Sequence, residues 1–156
     1  MDDLRIPVRR VAVEVAQTDG SQQRFQLFVS EHSPHHEGPE TPSETITGGR
    51  GFVPAINPAD DSLVCLKVDA IMWMRVKAAL ERPGPEADTI PTEHDVEIVL
   101  SGGERCSGLL SYVRPEKRDR LSDFLNEGEG PLKLIQGDEV VLVNRRHVLR
   151  VVCRRT

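Results

Sequence analysis

The chain has 156 residues, of which 38% are hydrophobic and only 4% aromatic, with a formal net charge of −5. That length holds one domain of common size or two very small ones, and large rings cannot dominate its packing. The negative balance argues against a general nucleic-acid binder held by counterion release, no apolar run approaches the eighteen or so residues of a membrane span, and "MDDLRIPVRR" lacks the apolar stretch of a signal peptide. A cytoplasmic protein is expected.

Residues 8 to 16, "VRRVAVEVA", alternate with Val11, Val13 and Val15 on one face, which is a strand signal. "TDGS" is turn chemistry and "RFQLFVS" at 24 to 30 alternates again, so the pair reads as a β-hairpin. The stretch 31 to 50 is rich in proline, glycine, histidine and hydroxyls and reads as an exposed, mobile loop. "FVPAI" at 52 to 56 is a short strand in which Pro54 suggests an edge position, and "LVCLKV" at 63 to 68 is the next strand.

"DAIMWMRVKAALER" is ambiguous, because Asp69 can cap a helix while Ile71, Trp73 and Val76 make no clean helical stripe beside Met72 and Met74. An internal echo decides it. "VDAIMWMRV" overlies "VNRRHVLRV" at 143 to 151, where β-branched content favours a strand. The expectation is a tight turn at Asp69 and Ala70, a strand over 71 to 76 and a helical turn over 77 to 82.

After a linker at 77 to 94 the plan returns. "DVEIVL", "SGLLSYV", a helical segment at about 118 to 126, "LKLI", "VVLV" and "HVLRVV" follow in the same order. The echo extends to "TPSETITGGRG" and "RLSDFLNEGEG", which lay Ser43 on Ser122, Ile46 on Leu125, Gly49 on Gly128 and Gly51 on Gly130. The fold class expected is mainly β with one or two short helices. It consists of two tandem five-stranded units, 8 to 76 and 95 to 153, arranged as Sm-like small barrels or as a pseudo-twofold β-sandwich. Units this small bury enough apolar surface only by pairing.

The second half resembles a recurring small domain of uncharacterised bacterial proteins. Gly108 and Leu109, the run Arg120, Leu121, Asp123, Phe124, Leu125 and Asn126, "LVN" at 142 to 144 and "HVLRV" at 147 to 151 carry that resemblance over residues 95 to 151. It implies a bacterial, cytosolic β domain and no particular chemistry.

Candidate chemistry is sparse. "RIPVR" followed by "DGSQQR" is similar to the cyclic-dinucleotide motifs of PilZ domains, in which arginines clamp phosphates. On that similarity Arg5, Arg9, Arg10, Asp19 and Ser21 are candidate ligand residues, although Arg24 stands where a glycine is required and the two motifs are closely spaced. "EHSPHHE" gathers Glu31, His32, His35, His36 and Glu37, but on a loop without a rigid scaffold, so neither metal nor cofactor is expected. Cys65, Cys106 and Cys153 have no short spacing and read as reduced thiols. No nucleophile stands beside a base, so the chain reads as a non-enzymatic interaction or regulatory module. Met72, Trp73 and Met74 are its candidate anchors for a protein partner or for a second copy in a homodimer.

Overall fold

The computed structural model describes residues 8–47, 51–81, 92–112 and 121–154. Among these residues ten antiparallel strands form one sheet: β1 (Val8–Gln17), β2 (Gln22–Ser30), β3 (Phe52–Asn57), β4 (Ser62–Lys67), β5 (Ile71–Lys77), β6 (Thr92–Leu100), β7 (Arg105–Tyr112), β8 (Leu132–Gln136), β9 (Glu139–Val143) and β10 (Val148–Cys153). Two short helices, α1 (Pro42–Ile46) and α2 (Leu121–Glu127), connect β2 to β3 and β7 to β8.

The strand order is β10-β6-β7-β8-β9-β5-β1-β2-β3-β4. On each side of the central β9–β5 pair the fifth strand lies beside the first, and the rest follow in chain order. The registers agree in detail. Leu27 faces Ala55 and Leu110 faces Leu134. Where β5 meets β1 the register slips between Ala16 and Gln17, and where β10 meets β6 it slips between Val148 and Arg150. Among the described residues β4 does not pair with β5, nor β9 with β10, so the sheet stays open and neither half closes into a barrel.

Alternation in β1 and β2 points Val11, Val13, Val15, Phe25, Leu27 and Val29 into one apolar core. The same alternation in β6 to β8 points Val96, Ile98, Leu110 and Leu134 into a second. β5 and β9 serve both. Met74, Val76, Val140 and Leu142 belong to the first core, whereas Trp73, Val141 and Val143 belong to the second. A central pair buried on both faces needs no polar alternation, which is why "IMWM" and "VVLV" are continuously apolar.

Three expectations change here. Met72, Trp73 and Met74 are 6%, 4% and 0% exposed, so they are core residues and not surface anchors. The cause is that β5 lies between the two cores, with Met74 packed in the first and Met72 and Trp73 in the second. Second, β3 is not an edge strand, since it pairs with both β2 and β4. Its ladder to β2 joins only Gln26 to Ile56 and Leu27 to Ala55. Pro54 lies beyond it and removes no ladder donor there. Third, the stretch 31 to 50 is not uniformly exposed. Thr41, Pro42, Ser43 and Ile46 are buried, with Ile46 in the first core. The Glu44 carboxylate reaches back to the Thr41 N–H at 3.0 Å, which completes the start of α1.

The ambiguous segment resolves as 3-10 turn Val68–Ala70, strand β5 and 3-10 turn Ala78–Glu81. Most of the proposed linker, 82–91, lies outside the described residues, as do the first three residues of the expected helix at 118 to 126.

Candidate functional site

Polar groups at the β5–β9 seam hold the two halves of the sheet together. Asn144 donates through Nδ2 to the Ile71 carbonyl at 2.9 Å, and its own N–H reaches the Met72 carbonyl at 3.0 Å. Trp73 Nε1 donates to Glu104 Oε1 at 2.9 Å, while the Arg75 guanidinium pairs with Glu14 and lies 4.8 Å above the indole ring. Lys77 Nζ stands 3.7 Å from Asp138, and Arg146 stands 3.3 Å from Asp69.

Beside the seam is a cleft of about 350 Å³ lined by Ile46, Val68, Ile71, Pro131, Asn144 and Arg145. Arg145 is committed to the fold. Its guanidinium donates to the carbonyls of Leu125 (2.6 Å) and Gly130 (2.8 Å) and stands 5.6 Å from the Phe124 ring centroid, so it secures the end of α2. Burial pulls its pKa below the ordinary guanidinium value. The opposite end of the seam holds Glu81, whose carboxylate accepts from the Ser43 N–H at 2.8 Å. Lys133 Nζ lies 3.0 Å from its other oxygen, at ion-pair distance but without hydrogen-bond alignment.

The phosphate-clamp residues are not brought together. Arg5 lies outside the described residues. Arg9 and Arg10 pair with Val29 and Phe28 at the open end of the β1–β2 hairpin, whereas Asp19 and Ser21 form its turn. Strand rise separates those ends by roughly 25 Å. Asp19 Oδ1 accepts from the Ser21 N–H at 2.9 Å, the geometry of an ordinary Asx turn. That contact, through the Ser21 hydroxyl first and then its N–H, lowers the Asp19 pKa. Arg150 and Arg154 do not complete a patch with them either, because five strands separate β10 from β1.

In the histidine-rich stretch, His36 Nε2 contacts Glu44 Oε1 at 2.5 Å, and Ser33 Oγ donates to Glu44 Oε2 at 2.8 Å. The carboxylate thus lies between hydroxyl and imidazole, and His36 meets Ser33 only through Glu44. The Glu37 carbonyl and then Glu44 raise the His36 pKa. Burial pushes Glu44 upward, but hydrogen bonds from Thr41, Ser33 and His36 outweigh it and its pKa falls. Among the described residues no three His, Cys, Asp or Glu side chains are arranged to hold a metal ion.

One cluster had no sequence signal. His94 Nδ1 lies 3.5 Å from Cys153 Sγ, and its Nε2 lies 3.0 Å from the Tyr112 hydroxyl. The residues are far apart in the chain, and only the pairing of β6 with β7 and β10 unites them. The thiol is exposed on an outer strand, and neither described cleft is lined by these residues.

The two outermost strands carry the other unabsorbed feature. Leu63 on β4 is 64% exposed, Phe52 on the adjoining β3 is 65% exposed, and Leu149 and Val152 on β10 are 59% and 43% exposed. Both strands have one backbone edge without a described strand partner. Compared with known proteins, the chain matches no family model, no curated protein and no solved structure.

Proposed function

We propose that this chain is a non-catalytic interaction module of the bacterial cytoplasm, built from two copies of one five-stranded β unit, and that it engages a protein partner by strand addition at its free sheet edges. The carrying observation is that large apolar side chains are exposed on both outermost strands, β4 and β10, beside backbone without a strand partner among the described residues. Such edges are templates for another strand unless proline, charge or a covering element blunts them. Here the β4 edge presents Leu63 and Cys65 with one charge at its end, Lys67, and the β10 edge presents Leu149 and Val152 around Arg150. The repeated strand order and matching register slips support the two-unit reading, and the resemblance of residues 95 to 151 supports a bacterial, cytosolic setting.

The test is affinity capture from native cells with the full chain and with Leu63→Asp and Leu149→Asp variants. Proteins bound by the parent and lost from one edge variant are the expected result. Identical capture by all three chains rejects the edge reading. The anionic-nucleotide reading is weaker, because Arg9 and Arg10 lie at the opposite end of a hairpin from its Asp-Ser turn. Heat on titration with a cyclic dinucleotide, lost in Arg9→Ala, is the outcome that would restore it.

A further inference from the structure

The seam inside the molecule and the two edges without a described strand partner correspond strand for strand, with Arg150 standing where Trp73 stands in the seam. By strand order, β9 occupies in its half the position that β4 occupies in the other, and β10 occupies the position of β5. The registers fix the residue equivalences. Val64 faces Ala55 as Val141 faces Leu134, which sets Leu63 against Val140 and Cys65 against Leu142. Arg75 faces Glu14 as Val152 faces Glu97, which sets Met72 against Leu149.

The burial of these equivalents differs in one systematic way. Val140, Leu142 and Met72 are buried because β9 and β5 cover each other, whereas Leu63, Cys65 and Leu149 are exposed. Phe52 likewise corresponds to Pro131, which lines the seam cleft against Ile46 and Val68 of the other half. The charges correspond as well. The seam pair Lys77–Asp138 has Arg154, which within the molecule stands 3.7 Å from Glu97, and Asp61 as its equivalents, one beside each outer strand, and both edges therefore keep the sign of their half of the pair.

We infer that a second copy of this chain covers each edge, β10 of one molecule pairing antiparallel with β4 of the next in the register of the internal β5–β9 ladder. Arg150 then faces Leu66, Val151 faces Cys65 and Val152 faces Val64 of the neighbour, and Arg154 reaches the Asp61 turn. The contact joins two different surfaces and is head-to-tail. Repetition produces a closed ring if the rotation per molecule closes and a filament if it does not. The continuous sheet buries Leu63, Leu149 and Phe52 in the way that β5 and β9 already bury their equivalents. This inference rests on the edge-interaction reading and names its occupant.

The experiment is sedimentation of the purified full chain from low to several hundred micromolar, with Leu63→Asp, Leu149→Asp and an equimolar mixture of the two. Both positions are exposed in the single molecule, so each variant should keep the parental circular dichroism. The parent should show a concentration-dependent mass at least twice that of one chain, each variant should remain a single chain, and the mixture should stop at two chains. That last result follows because each variant retains the edge its partner lacks. A parent that stays monomeric over the whole range overturns the inference. So does self-association of either variant alone, which would signal a contact between like edges. A monomeric parent whose edge variants lose a cellular partner would leave the interaction reading standing without this one.

Discussion

Trp73 and Glu104 are 31 residues apart and belong to different halves of the sheet, yet the indole Nε1 donates to the Glu104 carboxylate at 2.9 Å. The ring itself fills the second core from the central strand β5. Truncating it by Trp73→Ala should remove about 3–5 kcal/mol of stability, because a large buried ring leaves a cavity. Glu104→Ala should cost about 1–3 kcal/mol by stranding the buried N–H. Both are measured by denaturant unfolding. As the only tryptophan, Trp73 reports on this seam directly, with blue-shifted emission in the native state that moves red on unfolding.

Gly108 is a site of close backbone approach. A Cβ there would sit 2.7 Å from the Ile135 carbonyl oxygen and 2.8 Å from Leu134 Cγ. Gly108→Ala should therefore destabilise the chain by about 1–3 kcal/mol through displacement of β8 from β7. Gly103→Ala, in open space but with φ of +90°, should also destabilise, through backbone strain alone. A structure of the first variant should show β8 displaced, and one of the second should not.

The His36–Glu44 contact gives a pH window. The folded state raises the histidine pKa above its ordinary 6.5, so that contribution is present in full below 6.5 and is lost as pH rises through the raised value. Glu44 is lowered below 4.5, so its contribution is present in full above 4.5 and is lost as pH falls through the lowered value. The stability difference between the parent and His36→Gln should be largest between about pH 4.5 and 6.5 and shrink above that range. Denaturation midpoints of both chains at four or five pH values check it, and a difference that grows above neutrality would contradict the assignment.

Thiol chemistry should separate the cysteines. Burial, then the charge of Glu104, pushes Cys106 up to about 11, with Arg75 pulling the other way. Cys65 and Cys153 are exposed. A thiol reagent at pH 8 should modify two groups quickly and Cys106 slowly, at a rate that rises on unfolding. Peptide mapping after a short exposure identifies the slow site.

Much of the local structure was legible in the chain because it depends on neighbours a few residues apart. Alternation placed Val11, Val13 and Val15 on one face, and the echo of "SETIT" in "SDFLN" falls on helical residues in both places, in Pro42–Ile46 and Leu121–Glu127. The matched glycines Gly51 and Gly130 both adopt positive φ, at 72° and 83°. "IMWM" is a strand as its echo in 143 to 151 implies, although the strand registers set Met72 against Leu149, two residues beyond the position that the echo gives it. Its environment was not legible. A continuous apolar strand suits an exposed anchor as well as a doubly covered one, and only the distant β9, through Val140 and Leu142 on one side and Val141 and Val143 on the other, decides for burial. The open sheet, the separation of Arg10 from Asp19 and the meeting of His94 with Cys153 are likewise properties of strand order. That order follows from which non-local pairings bury the most apolar surface, a quantity no window of neighbouring residues contains.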